Sequence, residues 1–103
     1  MQCLKKQYPR MKIKFIEDFY FLLNEIIFFI AKDKPIASRK FKKNLIISIK
    51  KDLKFPYSFK KSIYADDNLI RDYVFKGYTI TYKIDIEGDL VLIIGIIKSK
   101  NNY

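Results

Sequence analysis

Apolar and polar residues alternate strictly from Tyr78 to Asp85. Tyr78, Ile80, Tyr82 and Ile84 are separated by Thr79, Thr81, Lys83 and Asp85. A period of two places the first set on one face of a strand and the second set on the other. One face can bury itself on a core while the other stays open and polar. The pattern predicts three consecutive strands over about 69–75, 78–86 and 90–97. Lys76-Gly77 joins the first two as a tight turn, because glycine adopts positive φ without steric cost. Glu87-Gly88-Asp89 joins the last two as a hairpin. Leu90 to Ile97 is apolar at nearly every position, as expected of a strand buried on both faces. Near the amino end, Lys12-Ile13-Lys14-Phe15-Ile16 alternates and reads as a short first strand.

The period changes to helical after Ile16. Phe19, Leu22, Leu23, Ile26, Phe29 and Ile30 form a stripe within a helix over about 17–32. Glu17 and Asp18 lie in its first turn, where the helix dipole favours negative charge. Phe21, Ile27 and Phe28 widen the stripe beyond one face, so this helix touches more than one neighbour. Asp33-Lys34-Pro35 is a break and restart, with Asp33 as a cap and Pro35 in the first turn. A second helix runs to about Leu53, with Ala37, Phe41, Leu45, Ser48, Ile49 and Leu53 on one side. Arg39, Lys40, Lys42, Lys43, Lys50 and Lys51 lie largely on the other. The short link makes the two helices an antiparallel hairpin. Residues 54–68 form a loop broken by Pro56, with Asp66-Asp67-Asn68 as a turn. The expected fold class is α+β, ordered β-α-α-β-β-β, with the helical hairpin covering one face of a mostly antiparallel, twisted sheet. The first strand must pair with a late strand to satisfy its backbone.

Composition narrows the possibilities. The 103 residues suit one domain, with a domain body over 11–100, a leader over 1–10 and a tail over 101–103. Met11 is a candidate start. Net charge is +10 and histidine is absent. So large an excess points to an anionic partner, although lysine-rich helix faces are commonly just solvated. Without histidine there is no Ser-His or Cys-His nucleophile pair and no His-ligated metal. The single cysteine, Cys3, allows no intrachain disulfide and suits a reducing, cytoplasmic compartment. No segment reaches the ~20 apolar residues of a membrane-spanning helix, and no membrane or cofactor is expected.

These residues resemble the RelE/ParE superfamily of bacterial type II toxins over about residues 11–100. The matching pieces are Phe29-Ile30-Ala31-Lys32-Asp33, Ala37 with Phe41, Phe55-Pro56-Tyr57, Lys61-Ser62-Ile63-Tyr64 and Ile70-Arg71-Asp72. The clearest is Gly77-Tyr78-x-Ile80-x-Tyr82 followed by the apolar last strand. The resemblance is nearest to the ParE-like subset. It implies a small basic cytoplasmic toxin held inactive by an acidic, partly disordered antitoxin. That antitoxin would dock over the helices and sheet edge, at Phe21, Ile27 and Phe28, and would alone carry the pair to operator DNA. RelE-like members cut mRNA on the ribosome, whereas ParE-like members poison DNA gyrase, so fold cannot choose between enzyme and inhibitor. Two departures weigh against the nuclease. Thr79 stands where many members carry an arginine that faces the scissile phosphate, and Ile97-Lys98-Ser99-Lys100 lacks the histidine or arginine common there.

The remaining candidates follow from residue type. A histidine-free ribonuclease needs lysine, arginine or tyrosine chemistry, for which Lys60, Lys61, Arg71, Lys76 and Lys83 are available. A protein-binding toxin would use Arg71, Lys76, Lys83, Lys98 and Tyr57. Arg71 reads equally as an internal partner of Asp66, Asp67 or Asp72. The loop Tyr57-Ser58-Phe59-Lys60-Lys61 either grips phosphates and stacks on bases, or packs its aromatics onto the sheet while its lysines are solvated. A family member that has lost toxicity and only binds its antitoxin is a third reading.

Overall fold

The structure is a computed structural model that describes residues 11–63 and 65–99. The expected leader over 1–10 and tail over 101–103 lie outside these residues. The elements are β1 (Lys12–Phe15), α1 (Glu17–Ala31), α2 (Pro35–Asp52), β2 (Ile70–Phe75), β3 (Tyr78–Asp85) and β4 (Leu90–Lys98), with a 3-10 turn at Pro56–Ser58. This is the expected α+β order. The four strands make one sheet in the order β1-β4-β3-β2. β4 pairs antiparallel with β3 and β3 antiparallel with β2, while β1 pairs parallel with β4. The predicted long-range closure is thus the β1–β4 pair.

Alternation along β3 sets the two faces. Ile80, Tyr82 and Ile84 are fully buried and Lys83 is exposed. α1 contributes Phe19 and Leu23 to the same core, and α2 contributes Leu45 and Ile49. Each such side chain taken fully out of water contributes about 1.5–3 kcal/mol. The helices cover one face only, so β4 is not buried on both faces as its composition suggested. Val91, Ile93 and Ile96 are buried, whereas Leu92 and Ile94 are half-buried and Ile97 is exposed. The 91-93-96 spacing follows from a bulge: Thr81 pairs with Gly95 but Tyr82 pairs with Ile93, leaving Ile94 as the extra residue.

Two local expectations are corrected. Asp33 does not cap α2. Lys34 occupies that position without a side-chain cap bond, and Pro35 follows in the first turn. The buried stripe of α2 also starts at Ser38 rather than Ala37, which is exposed. Ser38 Oγ donates to the Pro35 carbonyl at 2.8 Å, so a short polar side chain enters the interior with its hydrogen bond made. Lys42 Nζ then ties α2 to α1 through Asn24 Oδ1 at 3.2 Å.

Candidate interaction surfaces

Three surfaces carry the residues singled out by the sequence. The first is a groove of about 380 Å³ between α1 and the β3–β4 pair. Leu22, Ile26, Phe29, Tyr78, Ile96 and Ile97 make it apolar, and Glu25 and Lys98 add one charge of each sign. Tyr78 is held there by the Phe41 ring, 5.3 Å between centroids. Beside it, Phe21 and Phe28 on α1 are 64% and 70% exposed. Ile27 is different, because it is half-buried and packed on the core. Of the three α1 residues expected to face an antitoxin, two are free to do so.

The second surface is the helix-free sheet face. Thr79, Thr81 and Lys83 lie on it, with Asp72 and Val74 of β2 opposite Thr81 and Thr79. Thr79 is only 7% exposed, and its hydroxyl hydrogen-bonds that of Ser99 at 2.7 Å. Ser99 N also donates to the Gly77 carbonyl. Thr81 Oγ1 donates weakly to Asp72 Oδ1 at 3.4 Å. The Thr79 position therefore presents no cation to a ligand. Ser99 was missed in the sequence because nothing marked it apart from the polar residues beyond β4.

The third surface is the loop between α2 and β2. Its backbone is fastened from below. Tyr82 Oη, fully buried, donates to the Pro56 carbonyl at 2.6 Å. Phe59 packs edge-on against Tyr73, with centroids 5.1 Å apart. Lys60 O accepts from Asp72 N, Ser62 N donates to Ile70 O, and Lys61 bridges Arg71. Arg71 is not the partner of Asp66, Asp67 or Asp72. Its Nε donates to the Asn68 carbonyl at 3.1 Å, and its Nη1 donates to those of Tyr57 and Phe59 at 3.3 and 2.8 Å. Asp67 instead accepts from Leu69 N in an Asx turn.

Register explains this correction. Arg71 stands opposite Tyr82 and so shares the helix-side face, where the loop carbonyls are.

The proposed cations do not converge. Lys60, Lys61, Arg71 and Lys83 lie at one end of the sheet, but on its edge, its helix side and its open side respectively. Lys76 sits at the β2–β3 turn, seven residues from Lys83 and thus about 20 Å away along the strand. Lys98 pairs with Tyr78 at that same turn end and faces the groove. Tyr73 and Tyr82 cannot serve as bases near neutrality. Burial, reinforced by the bond from Tyr73 Oη to Asp52 Oδ2, pushes Tyr73 up to about 12, and burial pushes Tyr82 higher still. Among the described residues no cluster of three or more His, Cys, Asp or Glu side chains could hold a metal, and no helix is long and apolar enough to cross a membrane.

Comparison with known proteins bears on the family. No curated protein matches the chain by sequence. The fold is shared with the chromosomal ParDE toxin–antitoxin system from P. aeruginosa, at TM-score 0.71 and 13% identity over 88% of this chain and 98% of that one. It is shared also with the RelBE2 toxin–antitoxin complex from Mycobacterium tuberculosis, at TM-score 0.60 and 16% identity over 90% and 95% of the two chains. At these identities the likeness concerns fold alone. The sequence model for the ParE toxin of the type II toxin–antitoxin system parDE, however, matches residues 22–103, from within α1 through the entire sheet meander. With that match across most of its length, the chain belongs to the ParE toxin family of the RelE/ParE superfamily.

Proposed function

We propose that this toxin acts by binding a cellular protein, DNA gyrase being the first candidate, and is held inactive in the cytoplasm by a cognate acidic antitoxin. The observation that carries the choice is the state of Thr79. It is almost buried and bonded to Ser99, so the position offers no charge to a scissile phosphate. The dispersal of Lys60, Lys61, Arg71, Lys76 and Lys83 over different faces supports the same reading, because phosphodiester cleavage requires donors and acid/base groups converging on one atom. The absence of histidine removes the commonest proton carrier.

The groove along α1 supports the antitoxin. It offers an apolar trough for one face of an amphipathic segment. Phe21 and Phe28 extend it, and the +10 charge of the chain favours an acidic partner. Contact with operator DNA belongs to the antitoxin in this scheme. The test uses purified toxin released from its antitoxin. Inhibition of gyrase-catalysed supercoiling, with ribosome-bound mRNA left intact in a translation extract, is the expected result. Cleavage of mRNA at preferred codon positions would overturn the proposal in favour of the RelE-like nuclease.

A further inference from the structure

The α2–β2 loop has an unusual combination of a fixed backbone and outward aromatic side chains. Pro56 is buried and Phe59 is half-buried, yet Phe55 and Tyr57 on either side of Pro56 are 47% and 54% exposed. The Arg71 guanidinium lies 5.3 Å from the Tyr57 ring while its nitrogens grip the loop carbonyls. Lys54 Nζ lies 6.0 Å from the Phe55 ring. Lys60 and Lys61 are exposed, and among the described residues neither they nor Lys54 are paired with a carboxylate. Aromatic side chains held in place lose little conformational freedom on docking, and for that reason they dominate the binding energy of many interfaces. A loop that existed only to close the fold would gain nothing by turning two rings to solvent.

Resting on the protein-binding reading above, we infer that Phe55 and Tyr57 are the anchor of the target-binding surface. The occupant is a folded protein with an apolar pocket rimmed by carboxylates. The unpaired Lys54, Lys60 and Lys61 supply the complementary charge. A base-stacking role for the same rings is the less favoured reading, because Arg71 commits Nε and Nη1 to loop carbonyls and so keeps neither edge of its guanidinium free for a bidentate phosphate contact. The surface is also separate from the groove. Arg71 pairs with Tyr82 at one end of the β2–β3 ladder, whereas Phe75 pairs with Tyr78 at the other. Four residues of strand put them about 13 Å apart. Antitoxin and target can therefore be dissected by mutation.

The experiment compares the full chain with the double variant Phe55→Ala/Tyr57→Ala, and with Arg71→Ala and Arg71→Lys. Three readouts are taken: growth arrest on induction, binding to purified gyrase, and binding to antitoxin. Circular dichroism checks the fold, and a labelled oligouridylate serves as the nucleic-acid probe. The double variant should lose target affinity by at least about tenfold, as expected for removing anchor residues, and should lose growth arrest in step. Antitoxin affinity and the circular dichroism spectrum should not change. Arg71→Lys should be as impaired as Arg71→Ala, since an ammonium cannot reach three carbonyls. Rescue by Arg71→Lys would show that only its charge matters. Full growth arrest by the double variant overturns the inference, as does oligouridylate binding that vanishes with the rings. A wild-type chain that arrests growth without inhibiting gyrase sinks the gyrase reading alone, and the variants' growth arrest still judges the surface. A wild-type chain that never arrests growth overturns both.

Discussion

Tyr73 shows how one hydroxyl can tie the helical layer to the sheet. It is 6% exposed on β2, and its Oη donates to Asp52 Oδ2, at the end of α2, over 2.5 Å. Desolvation, then the bond to Asp52, raises its pKa from 10.0 to about 12. The unfolded chain therefore loses this proton first as pH rises. The stabilisation is complete below pH 10 and is lost between pH 10 and about 12. We expect unfolding free energy to fall over that window by at most about 3 kcal/mol, and Tyr73→Phe to flatten the fall. Denaturant melts at pH 9 and above decide this. An equal fall in the variant would place the sensitivity elsewhere. Neither the burial of Tyr73 nor its partner was legible, because Ile70 and Val74 put apolar residues on the other face of the same strand. Asp52 is 21 residues away, and only the docking of α2 brings it close. Arg71 carries the same lesson. A carboxylate partner was the natural reading of a sequence with Asp66, Asp67 and Asp72 nearby, yet backbone carbonyls hold the guanidinium.

Turns and strands were the most readable elements, and the β2–β3 turn shows why. Lys76 has φ 46° and Gly77 φ 86°, both left-handed, as a two-residue type I′ turn demands. Glycine meets that demand at no steric cost and lysine does not. Lys76→Asn would create the preferred Asn-Gly pair, and we expect it to stabilise the fold by up to about 1 kcal/mol. Thermal melting measures this, with an upward shift of about 4–8 °C per kcal/mol at this size. A lower melting temperature would show that Lys76 makes contacts worth more than its backbone strain. Growth arrest by the same variant separates stability from function. If the Lys76 charge contributes to target binding, the variant is more stable yet less toxic. The bulge at Ile94 was not readable, because a run of apolar residues on both sides of it has no period to break.

The whole molecule is organised as two ends of one sheet. Lys98 lines the groove near the β2–β3 turn, while Lys83 stands on the open face, across the ladder from Ile70. Viewed along the sequence, both are cations of one basic meander and equal candidates for target contact. The fold separates them. We expect Lys98→Ala to weaken antitoxin binding by about two- to fivefold, more at low salt than at high salt, and to leave target affinity unchanged. Lys83→Ala should spare antitoxin binding and reduce growth arrest. Calorimetric titration with antitoxin at two salt concentrations, beside growth curves, tests the pair. The opposite assignment would mean that the two surfaces have exchanged roles.

The order β-α-α-β-β-β, the core face of β3, the apolar breadth of α1 and the basic character of the surface were determined by sequence alone. Each depends on residue type and local period, which no neighbour can change. Tertiary structure decided which apolar residues stay outside. Ile27 and Phe28 are adjacent on a helix that is apolar nearly all round, and only the placement of the sheet and α2 half-buries the first and leaves the second exposed. It decided also that the cations do not converge. Strand register assigns each to a face, and register is set by pairings between residues far apart in the chain.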